Sequence, residues 1–170
     1  DAMSLSWLWL APAAAVPLVL SAPSVRAART LAFLSSLAVL AYSLALIIHF
    51  QAQEGVLRLV ELGAPGAYGI RYSAAVDGVS LALCWLTAFL TVLSLASSWE
   101  GGHGKGYWAA FLALEAGIMG VFTMQNLFWF YFFWDAALIP MFFIIGLWGS
   151  SNRRKAAFKF MLYTFVGAAF

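Results

Sequence analysis

Two carboxylates in this sequence stand where a charge is hard to keep. Asp135 lies near the middle of Asn126–Gly149, NLFWFYFFWDAALIPMFFIIGLWG, a run otherwise apolar enough and long enough to cross a bilayer as a helix. Glu115 lies in LALEAG, inside a second apolar run. A carboxylate at the bilayer centre costs roughly 3 kcal/mol on insertion scales, so such a side chain is usually kept because it faces a bundle interior and a partner. Acids that hold or shed a proton near pH 7 are what a proton path needs. The competing reading of either acid is a neutral, hydrogen-bonded carboxyl with a structural role. Lys159 is a third candidate, although its place near the end of an apolar run suits an anchor that snorkels to the interface better than a relay. Pro140, five residues after Asp135, removes a backbone hydrogen bond and bends a helix near Ala136, either to make room beside the carboxylate or as an ordinary transmembrane kink.

Other chemistries find no support in the residues. His49 and His103 are isolated, and the single cysteine, Cys84, allows no internal disulfide and no metal cluster. There is no metal-ligand spacing, no phosphate-binding glycine loop and no nucleophile motif, and nothing here can carry electrons. The aromatic run Trp129–Trp134 suits packing against lipid and core rather than a cofactor. A net charge of +2 is too small to suggest nucleic acid.

The elements that must position the two acids are membrane helices. Of the 170 residues, 64% are hydrophobic and 9% charged, against about 25% charged in a soluble domain, and mean hydropathy is +0.91. The expected fold is all-α, a polytopic transmembrane bundle of about six spans. Span one covers Leu5–Leu20, and with Asp1 and no basic residue before Arg26 it is expected to be a mature helix rather than a signal peptide. Span two covers about Thr30–Phe50. Residues Gln51–Val76, with Glu54, Arg58, Glu61, Arg71, Gly63, Pro65, Gly66 and Gly69, predict a surface loop that includes a short interfacial helix over Glu54–Leu62. Span three covers Gly78–Ser98, with Asp77 placed as its N-cap. Span four covers about Tyr107–Met124, span five Asn126–Gly149 after a tight turn, and span six begins near Ala156.

Basic residues orient the bundle. The links after spans one, three and five, with the start of span six, carry Arg26, Arg29, Lys105, Arg153, Arg154, Lys155 and Lys159; the other side carries only Arg58 and Arg71. Cytoplasmic loops collect Lys and Arg, so the N-terminus is expected outside. Trp7, Trp9 and Trp129 fall at outer ends and Trp99, Trp108 and Trp148 at inner ends, as interfacial belts do. At 1.5 Å per residue, Asp135 lies about 12 Å from the outer end of its span and Glu115 about 12 Å from the inner end of its own. In a core about 30 Å thick their depths differ by about 6 Å, so the two acids, on neighbouring antiparallel spans, are expected to lie near each other.

Three stretches carry a family resemblance: AVDGVSLAL at Ala75–Leu83, GVFTMQNLFWFYFFWDAALIPMFFIIGLWG at Gly120–Gly149, and AAFKFMLYTFVGA at Ala156–Ala168. Together they resemble the antiporter-like subunit M of bacterial NADH–quinone oxidoreductase, respiratory complex I, whose mitochondrial counterpart is chain 4. The resemblance implies the start of a fourteen-helix antiporter-like fold with two inverted repeats, and a proton channel driven by quinone reduction elsewhere in the complex. It implies that Asp135 stands where the family has a glutamate on its fifth span, paired with a lysine on its seventh. An aspartate is shorter by about 1.5 Å, one single-bond step of the side chain. It further implies two N-terminal helices and a polar outer loop in residues 1–76, with residues 77–170 beginning the first repeat, so that the sequence corresponds to an N-terminal portion. On the same grounds no cofactor is expected on this chain, while NADH, FMN, iron–sulfur clusters and quinone belong to other subunits. The expected partners are neighbouring antiporter-like subunits and lipid, in a bacterial plasma membrane. Two alternatives stay open: a subunit of a multisubunit sodium/proton antiporter or membrane-bound hydrogenase, and a structural membrane anchor.

Overall fold

A computed structural model describes residues 4–52, 61–65 and 71–169. Its elements are α1 (Trp7–Ser21), α2 (Val25–Ala52), β1 (Glu61–Pro65), β2 (Arg71–Ala74), α3 (Gly78–Ser97), α4 (Lys105–Thr123), α5 (Leu127–Trp148) and α6 (Arg153–Ala169). The chain is a multi-pass membrane protein: α2 over Val25–Phe50, α3, α4 and α5 are each long and apolar enough to cross a bilayer. The six helices sit where six spans were expected, but α1 has 15 residues and α6 has 17. At 1.5 Å per residue α1 reaches about 22 Å, short of a core about 30 Å thick.

Local chemistry explains the helix starts. Asp77 takes the N-cap position expected of it: its Oδ1 accepts from the Ser80 backbone N–H at 2.7 Å. Asn126 caps α5 in the same way, accepting from Phe128 N–H at 2.9 Å. α2 begins five residues earlier than expected because the Ser24 hydroxyl accepts from Ala27 N–H at 3.2 Å. Between α3 and α4 the chain turns at Gly102, whose φ of 64° lies in the left-handed region that glycine adopts freely.

The link between α2 and α3 departs from expectation. Glu61 and Leu62, placed in an interfacial helix by the sequence, belong to a strand: β1 pairs antiparallel with β2, Glu61 opposite Ala74 and Leu62 opposite Ser73, with an irregularity before Pro65 meets Arg71. The rest of that expected helix, including Glu54 and Arg58, and also Gly66 and Gly69, lies outside the described residues. The other edge of β2 pairs with the α4–α5 turn, through an isolated bridge between Ala74 and Met124, with Ala75 N–H donating to Thr123 O at 2.8 Å and Gln125 N–H to Ser73 O at 2.9 Å. Backbone groups in that tight turn need partners, and an extended segment supplies them where a helix does not.

α4 is the enclosed centre of the bundle. It packs against α1, α2, α3 and α5, and 56% of its most apolar stretch is buried, against 17% for α5. The core has two apolar clusters. The one at the end that carries β2, called outer after the expected topology, includes Leu8, Val39, Leu46, Leu81, Cys84, Met119 and Phe133. The one at the opposite end, called inner, includes Val19, Ala28, Ala32, Leu95, Trp108 and Leu112.

Candidate functional site

The two intramembrane acids occupy different surroundings. Glu115 is 1% exposed. Its Oε1 accepts a hydrogen bond from the Ser36 hydroxyl of α2 at 3.1 Å, and its Oε2 is buried without a partner among the described residues. Ser36 is itself fully buried.

Asp135 is exposed on α5. The face of α5 that meets α4 is set by Phe133 and Ala137, which lie against Gly120 and Gly117. Asp135 is two residues from each, about 200° around the helix, and so points away from α4. The expected proximity of the two acids is therefore corrected: Glu115 turns toward α2 and Asp135 toward the uncovered side of α5. Its neighbours on that side, Phe132, Ile139 and Phe143, are large, apolar and exposed. Pro140 is buried, and α5 continues through it to Trp148.

Lys159 is exposed on α6, two residues beyond Ala157, which is buried and lies beside Gly146 of α5. That spacing puts Lys159 on the side of α6 away from α5. The aromatic run packs into the core at one position and leaves others open. The Phe133 ring meets Trp9 edge-on at 5.0 Å, while Tyr131 and Phe132 remain exposed. An open apolar groove of about 330 Å³ runs between α4, α5 and α6, lined by Ile118, Phe122, Trp134, Leu138, Phe160 and Thr164 among others. No cluster of three or more His, Cys, Asp or Glu that could hold a metal occurs among the described residues. His103 stacks on Tyr107 with ring centres 4.0 Å apart.

Sequence reasoning missed the partner of Glu115. A signal existed: Ser36 falls on the same helical stripe of α2 as Ala28, Ala32 and Val39, all buried, and a hydroxyl on a buried stripe asks for an acceptor. It also missed a second use of the basic residues. Arg29 donates to the Trp99 carbonyl beyond the end of α3 and lies 4.2 Å over the Trp99 ring. Lys105 donates to the Ala22 carbonyl at the end of α1, and Arg153 to Leu147 O at the end of α5 at 3.0 Å. The C-terminal ends of α3, α1 and α5, each carrying partial negative charge, thus meet cations at the starts of α2, α4 and α6.

Comparison with known proteins gives consistent matches. A family model described as "NADH:quinone oxidoreductase/Mrp antiporter, TM" matches residues 124–170. NADH-quinone oxidoreductase subunit M of Rhodobacter capsulatus is 42% identical over 144 residues, which are 84% of this chain and 28% of that protein. NADH-ubiquinone oxidoreductase chain 4 of Arabidopsis thaliana is 38% identical over 173 residues, covering 98% of this chain and 35% of that one. Among solved structures, a chain of respiratory complex I from Thermus thermophilus with bound NADH superposes with a TM-score of 0.81 at 25% identity, covering 96% of this chain and 33% of that chain. The chain spans about a third of the length of the curated relatives it matches.

Proposed function

We propose that this chain, a homologue of the subunit M and chain 4 proteins, is part of an antiporter-like membrane subunit of NADH–quinone oxidoreductase and contributes part of a proton path. One observation carries the reading: a carboxylate, Asp135, stands on the uncovered side of a membrane-length apolar helix among exposed Phe132, Ile139 and Phe143. Held against acyl chains, that group costs roughly 3 kcal/mol at the bilayer centre. The side is therefore one that protein covers, with a basic or water-filled partner for the acid. The relatives are about three times as long as this chain, and by the family resemblance their seventh span brings a lysine to this position.

Residues 77–170 form the start of the first antiporter-like repeat of a fourteen-helix fold, and residues 1–76 the two preceding helices and the outer loop. α1 and α6 cross the membrane with the rest, the N-terminus lies outside, and the cations at the ends of α1, α3 and α5 face the cytoplasm. Glu115 is a second proton-holding group, and Lys159, exposed near the basic end of α6, is an interfacial anchor. NADH, FMN, iron–sulfur clusters and quinone are held by other subunits. The neighbours are other antiporter-like subunits and lipid, and the membrane is a bacterial plasma membrane, in keeping with the identity to the Rhodobacter protein.

The test is proton pumping per electron by the assembled complex in sealed vesicles. Asp135→Asn reduces coupled pumping strongly, and Asp135→Glu keeps most of it. Undiminished pumping in Asp135→Asn overturns the reading. If Asn at 135 and Gln at 115 together leave activity intact while deleting α5 blocks assembly, the chain is an anchor. The matching family model also covers Mrp antiporters, which supports a second reading as a subunit of a multisubunit sodium/proton antiporter. Ion movement that depends on sodium, without electron transfer, selects it.

A further inference from the structure

The buried stripes of α1, α2 and α4 share a polar seam. On α2, Ala28 and Ala32 belong to the inner apolar cluster and Val39 and Leu46 to the outer one. On α4, Leu112 belongs to the inner cluster and Met119 to the outer. Ser36 and Glu115 lie between these pairs along their helices and are fully enclosed. On α1 the buried residue between Leu8 of the outer cluster and Val19 of the inner is Pro12, which has no N–H to donate to the Leu8 carbonyl. At the level where the two apolar clusters meet, the packed helices therefore present a carboxyl, a hydroxyl and a backbone stretch that lacks one donor.

We propose that Ser36 is a positioning residue for Glu115 and that the pair forms an enclosed proton-exchange site separate from Asp135. This rests on the reading of the chain as part of a proton path. The Ser36 hydroxyl donates to Oε1 at 3.1 Å. That bond fixes the rotation of the carboxyl and selects its other oxygen for exchange, because Oε2 is buried with no partner among the described residues. A proton arriving through a water molecule in the seam attaches to Oε2 and leaves from it. Asp135 cannot share that proton directly, since it lies about 200° around α5 from the residues that meet α4. The two acids thus serve opposite sides of the α4–α5 pair, and transfer between them needs water or another side chain.

A purely structural hydrogen bond between α2 and α4 predicts different behaviour, and infrared difference spectra of the assembled complex, resting against turning over, separate the two. A site that exchanges a proton gives a carboxyl C=O band that changes during turnover and is absent in Glu115→Gln. With Ser36→Ala the band moves to higher wavenumber, since Oε1 loses its donor, and pumping per electron falls. Ser36→Thr, which keeps a hydroxyl, restores both. If Ser36→Ala does not assemble, Ser36→Cys, a weaker donor of similar size, is measured in its place. Absence of a Glu115 band in the turnover spectrum, or a band left in place by loss of the Ser36 hydroxyl, overturns the proposal. Either result is independent of whether Asp135→Asn stops pumping, so failure here is distinct from failure of the proposed function.

Discussion

Gly117 of α4 lies so close to Ala137 of α5 that a methyl group at position 117 would stand 2.8 Å from the Ala137 Cβ and 2.9 Å from its Cα. One turn on, a methyl group at Gly120 would enter the Phe133 ring. Small residues that let two backbones approach are how helices pack in lipid, where apolar surface alone gives no preference for protein over acyl chains. The same contact fixes the rotation of α5, and with it the direction of Asp135.

Substitutions at these glycines should therefore act on the helix pair. Gly117→Ala meets backbone that cannot move aside easily, and Gly120→Ala forces the Phe133 ring out of its place against Trp9. Overpacking of this kind costs about 1–3 kcal/mol. The thermal midpoint of the purified complex should fall for both, while Gly167→Ala, with nothing within 4 Å of the added carbon, leaves it unchanged.

Beside β2, the Tyr72 hydroxyl accepts from Trp9 Nε1 at 3.0 Å and is bonded to the Ser6 hydroxyl at 2.7 Å. These bonds tie β2 to the start of α1. Tyr72→Phe removes both at about 1 kcal/mol each. Hydrogen exchange at Tyr72–Ala74 should speed up, with α3 and α4 unaffected.

Arg29 is a cation seated on Trp99 and, in the proposed topology, also a cytoplasmic charge. Arg29→Lys keeps the charge and so keeps the orientation of α2. It loses the planar fork and weakens the contact with the ring, where a cation–π interaction is worth about 0.5–1 kcal/mol. Labelling of cysteines introduced in the links should show unchanged sidedness, and the thermal midpoint should drop.

Asp77 supplies a pH dependence. The backbone N–H of Ser80, joined by the Ser80 side chain, holds the Asp77 carboxyl below its usual value of 3.8. A lowered folded-state value means that the capping contribution is fully present above about 3.8 and is lost as pH falls through the lower folded value. Melting curves below pH 4 should converge for the native chain and Asp77→Ala, whereas at pH 7 the native chain melts higher.

The positions of the six helices were legible in the sequence because they depend on local properties: runs of apolar residues broken by Gly102, by the Ser150–Lys155 link, and by caps such as Asp77 and Asn126. Both acids were equally visible, since a charge in an apolar run needs no tertiary information to be noticed. Which way each acid faces was not legible. α5 is apolar on every side, so no stripe marks the face it packs with; Gly117 and Gly120 of α4 decide that, and they send Asp135 away from Glu115. The partnership of Ser36 with Glu115 spans 79 residues of chain, and the strand at Glu61–Pro65 exists because residues 71–74 lie beside it. Depth along a helix follows from counting residues at a constant rise, whereas rotation about its axis and pairing across the chain follow from which surfaces fit, and that is settled only when the helices are packed.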